Sequence, residues 1–163
     1  MRTPITVPMS TVIEATLIAG VLDLISAFVY ALLEGHNLLI VPVGIALAIW
    51  PGAVSSIGAG IVVGVLLHFA IMLAMVYVFV LAARRWSMLA AQPVLAGAAY
   101  GLLLWATMYL VVLPLRWPTL FPHFTSTGVM EQLFSHVVLV GIPVAWLVGN
   151  SAKAAYLDAS THE

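Results

Sequence analysis

Four stretches of this chain, at about 10–33, 57–83, 93–115 and 128–149, are each apolar over close to the ~20 residues that a helix needs to cross a bilayer. Inside lipid every backbone N–H and C=O must find a partner within the protein, so such stretches can only be helices. The sequence predicts an all-α integral membrane protein with four transmembrane helices, residues 1–163 forming a single transmembrane domain. Composition decides against a soluble domain: 64% of the residues are hydrophobic and 7% are charged, where soluble domains carry roughly a quarter charged residues.

The outer segment 37–56 is different. HNLLIVPVGIALAIWPGAVSS contains an apolar run too short to cross, bounded by Pro42 and Pro51, with Trp50 suited to an interface. It reads as a short re-entrant or interfacial segment between the first two spans, with a fifth span as the competing reading. Charge favours four spans. Arg2, Arg84, Arg85 and Lys153 then fall on one side and only Arg116 on the other, which by the positive-inside rule puts both termini in the cytoplasm. The N-terminal MRTPITVPMS lacks the apolar core of a signal peptide, so the first span is expected to stay. The short link AARRWSMLAAQ predicts a tight antiparallel hairpin of spans two and three. Pro93 suits a first helical turn, Pro114 a helix end, and Pro143 lies inside span four, where it should kink the helix.

Some chemistry is excluded. A net charge of −1 gives no basic surface for nucleic acid. With no cysteine there are no disulfides, thiolate metal sites or cysteine nucleophiles. There is no HExxH pair of zinc ligands.

What remains is a set of ionisable residues at one depth. Asp23 is about ten residues from the outer end of span one, His68 about ten from that of span two, and His136 about eight from that of span four. At a 1.5 Å rise all three lie roughly 12–15 Å below the outer surface. Groups this costly in lipid face protein or water. Helical spacing gathers Thr16, Ala19, Ser26, Ala27 and Tyr30 around Asp23, a small and polar face suited to packing. Gly60 and Gly64 permit close approach above His68, and Gly97 and Gly101 do so on span three. Gln132, one turn from His136, is placed to share a hydrogen bond or a water with its ring.

Asp23, His68, His136 and Gln132 are thus expected to form one buried polar cluster. A carboxylate beside imidazoles suits proton relay or pH sensing. The same Asp23, His68 and His136 are a plausible set for a divalent metal, and two histidines on facing helices are a plausible haem pair. Plain structural pairing, fixing helix register, is the alternative. The expected protein has no catalytic activity of its own. Its partners are the lipid bilayer and either further copies of itself or a membrane complex that it serves as a small accessory subunit. A haem- or metal-dependent redox protein and a small transporter gated by 37–56 are the competing classes. Glu14, Glu34 and His36 read as headgroup-level groups, and His123 as part of an interfacial loop. Met72, Met75 and Met108 read as packing, Tyr77, Tyr100 and Tyr109 as packing or interface, and His162 as part of a polar tail.

The strings LDLISAFVY with Asp23, LLHF with His68, AAYG with Tyr100 and Gly101, VVLPL from Val111 to Leu115, and SHVVLVGIP with His136, Gly141 and Pro143 occur in this order. Together they resemble a family of small bacterial four-helix inner-membrane proteins, and more loosely the YagU-like proteins linked to acid resistance. The resemblance implies a shared four-helix architecture and a proton-sensitive Asp/His/His set. This chain departs from the family pattern at GVLDL and TMYLVV, which lack the family's threonine and asparagine.

Overall fold

The computed structural model describes residues 7–161, with side chains except those of Tyr156 and 158–161. Arg2 and His162 lie outside it. The described residues are helical, with no strand among them. Four helices are long and apolar enough to cross a membrane: α1 Met9–Leu33, α3 Ile57–Arg85, α5 Pro93–Arg116 and α6 Ser126–Ala155, the last running on to Thr161. Two short helices connect them, α2 Ile40–Ala46 and α4 Met88–Ala91. α1, α3 and α5 start and end within two residues of the spans expected from the sequence, whereas α6 starts at Ser126 and runs well past the expected end near 149.

Local chemistry explains the boundaries. Gly35, at φ 76°, takes the left-handed conformation that side chains disfavour. It ends α1 by letting His36 N–H reach Ala31 O at 2.8 Å and Gly35 N–H reach Leu32 O at 3.0 Å. Pro93 occupies the first turn of α5, where its missing N–H leaves no gap in the helix. Thr125 caps α6, its hydroxyl accepting from Gly128 N–H at 3.1 Å.

The outer segment is not a fifth span. Its α2 and a 3₁₀ turn over Pro51–Ser55 fold back onto α3. The glycines of α3 make this possible. A side chain on Gly64 would strike the carbonyl of Pro42, and one on Gly60 would lie 2.8 Å from Ala53 O. The small-residue pair expected to join two spans therefore seats the outer segment. Val43, Ala46 and Ala53 form a small core there with Leu47, Trp50, Ile61 and Val63. Arg116, at the end of α5, clamps the segment from above. Its Nε donates to Ala48 O at 2.8 Å and its Nη2 to Leu47 O at 2.9 Å, a cation on the carbonyls that end α2.

The four long helices do not pack evenly. α1 packs on α3 and α6, and α5 packs on α6. The crossing of α5 and α6 is nearly backbone on backbone. A Cβ on Gly97 would lie 2.6 Å from Gly141 O and Ile142 Cα, and one on Gly101 would strike His136 O. The sequence-based hairpin of spans two and three is corrected here: α3 and α5 scarcely touch. The glycines of α5 face α6, so α5 turns away from its chain neighbour, and the link carries its own short helix. Tyr100 bridges what remains of the gap, its hydroxyl donating to Met75 O at 2.7 Å and its ring 5.1 Å from that of Phe79.

The core is lopsided along the helix axes. Val12, Ala15 and Ala19 of α1, Val76, Phe79, Val80 and Ala83 of α3, and Val144, Ala145 and Val148 of α6 fill the end where the chain begins. Thr11 bonds Ser151 at 3.0 Å and Arg84 donates to Val7 O at 3.3 Å at that same end. The opposite half is hollow. Around the bundle, large apolar side chains such as Leu17, Ile25, Leu66, Leu95 and Leu103 point outward, the surface expected of helices that meet lipid.

Candidate functional site

The hollow half is a half-open cavity of about 670 Å³. It occupies the gap between α3 and α5, and α2 closes one side of it. Its walls are mostly aliphatic side chains and methionines. Asp23 of α1, His68 of α3 and His136 of α6 all line it. Three ionisable groups from three spans therefore share one space.

They do not satisfy one another. No Asp23–imidazole pair comes within 4.0 Å; among the described residues the histidine–carboxylate pair at that range is the exposed His36–Glu34, at 3.7 Å. Asp23 lies within electrostatic reach of both rings. Each imidazole is held by a backbone carbonyl instead. His68, buried at 7% exposure, donates from Nε2 to Gly20 O at 2.9 Å. His136 donates from Nδ1 to Gln132 O at 3.0 Å. These bonds fix the neutral tautomers: His68 keeps its lone pair on Nδ1, and His136 on Nε2. Gly20 has a second role, because the ring of Phe69 rests where a side chain would be, 2.6 Å from the position of a Cβ.

Gln132 takes part through its backbone. Its side chain is engaged elsewhere, Oε1 accepting from Trp105 Nε1 at 3.4 Å. The metal expectation also changes. Among the described residues no three His, Cys, Asp or Glu side chains are grouped to hold a metal ion, and Asp23, His68 and His136 are not such a set.

Two π-wound stretches shape the site. α5 is π-helical over Met108–Val112, with Leu113 N–H on Met108 O. α6 is π-helical over Phe134–Gly141, with Ile142 N–H on Val137 O. Each is followed within two residues by a proline, Pro114 or Pro143. A proline ring clashes with the carbonyl one α-turn back and donates no hydrogen bond. Widening the preceding turn makes room for it, and such turns gather at functional sites. The kink expected at Pro143 is met by this widening. Burial along α6 records the change: Ser135 and Val140, five residues apart, are both buried, and Val144 and Val148 follow at steps of four.

Several site residues escape sequence reasoning. Tyr109 lies in the π stretch of α5, lines the cavity and stands edge-on to His136 at 5.8 Å between centroids. Arg116, Trp117, Leu120 and Phe121 close the cavity near the end of α5, so part of the aromatic loop is a wall and His123 beside it is exposed. Met72, Met75 and Met108, read as packing, line the cavity too. Ser135, next to His136 in the sequence, bonds Ser26 at 2.8 Å and donates to the Tyr30 hydroxyl at 3.4 Å. Ser26 also donates to the carbonyl of Asp23 at 2.8 Å. Its position beside Asp23 was the available signal for that link. Compared with known proteins, the chain matches no family model, no curated protein and no solved structure.

Proposed function

We propose that this chain is a multi-pass protein of a bacterial inner membrane, and that the Asp23, His68 and His136 cavity is a proton-responsive site. One observation carries the reading: three ionisable groups from three separate helices line one cavity without pairing directly. Groups that neutralised one another would be structural cement. These keep a carboxylate and two ring nitrogens for the cavity, and imidazole exchanges protons near neutral pH. The resemblance to YagU-like proteins linked to acid resistance points the same way. The protein works as a homo-oligomer or as a small accessory subunit, with its outward apolar faces met by lipid or by further helices. Arg84, Arg85 and Lys153 at the packed end support cytoplasmic termini by the positive-inside rule.

A proton-responsive site changes its surroundings as it titrates. The test places one cysteine at Ile45, on the α2 wall of the cavity, in a chain that has no other cysteine. Its labelling rate is followed in proteoliposomes between about pH 5 and 8. A sigmoidal pH dependence is expected, flattened in Asp23→Asn and in the His68→Gln/His136→Gln double variant. A rate that varies only with the intrinsic ionisation of the thiol sinks the proposal.

A further inference from the structure

The polarity of the cavity floor names the chemistry of its occupant. His68 and His136 have each given a ring N–H to a backbone carbonyl, so in their neutral forms each has only a lone pair left. Asp23, when ionised, also only accepts. Arg116 is the positively charged side chain on the wall, and it is turned to the carbonyls of Leu47 and Ala48 and set 5.1 Å over the ring of Trp117. α2 contributes no titratable group to the wall, and Tyr109 of α5 brings a hydroxyl. The floor is therefore rich in acceptors and carries one carboxylate with no direct partner. The walls are apolar, with the rings of Tyr109, Trp117 and Phe121 among them. The volume falls within the roughly 300–1,000 Å³ of small-molecule sites.

We infer that the cavity binds a lipophilic ammonium, an organic monocation with N–H donors and an apolar body, in exchange for a proton. This rests on the reading of Asp23, His68 and His136 as one proton-carrying site. The N–H groups supply what the three acceptors lack. The positive charge meets Asp23, and the aromatic rings favour a cation over their faces. A carboxylate would set its charge against that of Asp23, and a neutral carbonyl compound would leave that charge unmet, with the Tyr109 hydroxyl as the donor on the wall. An unpaired charge at this depth is costly, so the vacant site holds a proton among its three groups. The incoming ammonium takes over that charge balance and about one proton leaves. No bond is made or broken except to that proton.

The test compares three probes with one ring system and different heads: 1-naphthylmethylammonium, 1-naphthylmethanol and 1-naphthylacetate. Binding is measured on the full chain in phosphatidylcholine proteoliposomes at about pH 8, where a primary amine is still an ammonium. The ammonium is expected to bind at least tenfold tighter than the other two and to acidify a weakly buffered suspension. Asp23→Asn should abolish that preference and Asp23→Glu should keep it. Should Asp23→Asn not insert, His136→Gln decides, because it puts a donor at the floor and should raise binding of the acetate probe relative to the ammonium. Equal binding of the three heads, a preference for the acetate, or an ammonium preference untouched by these variants overturns the inference. Those results leave the proton reading standing if labelling at position 45 still follows pH. Ammonium binding that needs Asp23 but releases no proton overturns the exchange and counts against the proton reading as well.

Discussion

His68 donates its Nε2 proton to the carbonyl of Gly20, three residues before Asp23 on the neighbouring helix. One bond thus ties α3 to α1 at the level of the site and leaves Nδ1 as the basic nitrogen. Structure and chemistry use different atoms of the same ring, and substitution separates them. Glutamine keeps an N–H for Gly20 and removes the second ring nitrogen. His68→Gln should fold and melt like the parent while losing pH dependence, whereas His68→Ala should lose about 1–2 kcal/mol of stability from the missing bond and packing. Thermal unfolding in mild detergent, paired with labelling at position 45, distinguishes them. Equal stability of the two variants would show that the bond to Gly20 contributes nothing.

The hydroxyl pair Ser26–Ser135 joins α1 to α6 at 2.8 Å. Hydrogen bonds between membrane helices average about 0.6 kcal/mol. A double-mutant cycle with Ser26→Ala and Ser135→Ala should give a coupling of roughly that size. A coupling indistinguishable from zero would assign the pair no role in holding the helices together.

At Gly101 a methyl group meets the carbonyl of His136 and the Cα of Val137, backbone atoms that cannot rotate aside. Gly101→Ala should force α5 and α6 apart, with a loss of roughly 1–3 kcal/mol typical of overpacking. Gly44→Ala is the control, since nothing lies within 4 Å of a Cβ there. Melting curves of the two variants should differ clearly, and similar curves would contradict the close crossing.

Arg116 holds the outer segment by two hydrogen bonds to its carbonyls. Arg116→Ala should release that segment and raise the labelling rate of a cysteine at Ile45 several-fold, with little change in the melting of the bundle, whose main core lies at the other end. Arg116→Lys should recover only part of the effect, because one ammonium does not reproduce the guanidinium fork. An unchanged rate in Arg116→Ala would mean that the glycine seat on α3 suffices.

The sequence made the spans and the shared depth of Asp23, His68 and His136 legible, because both depend on position along a helix and on the cost of charge in lipid. It did not reveal which helices pair. Gly97 and Gly101 advertise a close crossing without naming the partner, and chain proximity favoured α3 where the small residue at 141 made α6 the better fit. Tyr109 was missed for a related reason. Its place beside Met108 and Val112 on one face of α5 follows ordinary helical spacing, but that this face meets His136 depends on α5 crossing α6. Arg116 was read as an outlier to a charge rule, since the carbonyls it binds become visible only when α2 is folded back.

The five-residue step from Ser135 to Val140 means that α6 is phased like two helices spliced with one residue to spare. Removing one residue between them would restore regular winding. Ser135 and Val140 would then stand four apart and still share a face, so the loss would fall on the widened turn that makes room for Pro143. The spare residue is therefore the room that Pro143 needs, and a one-residue deletion in this stretch should be better tolerated together with Pro143→Ala than alone.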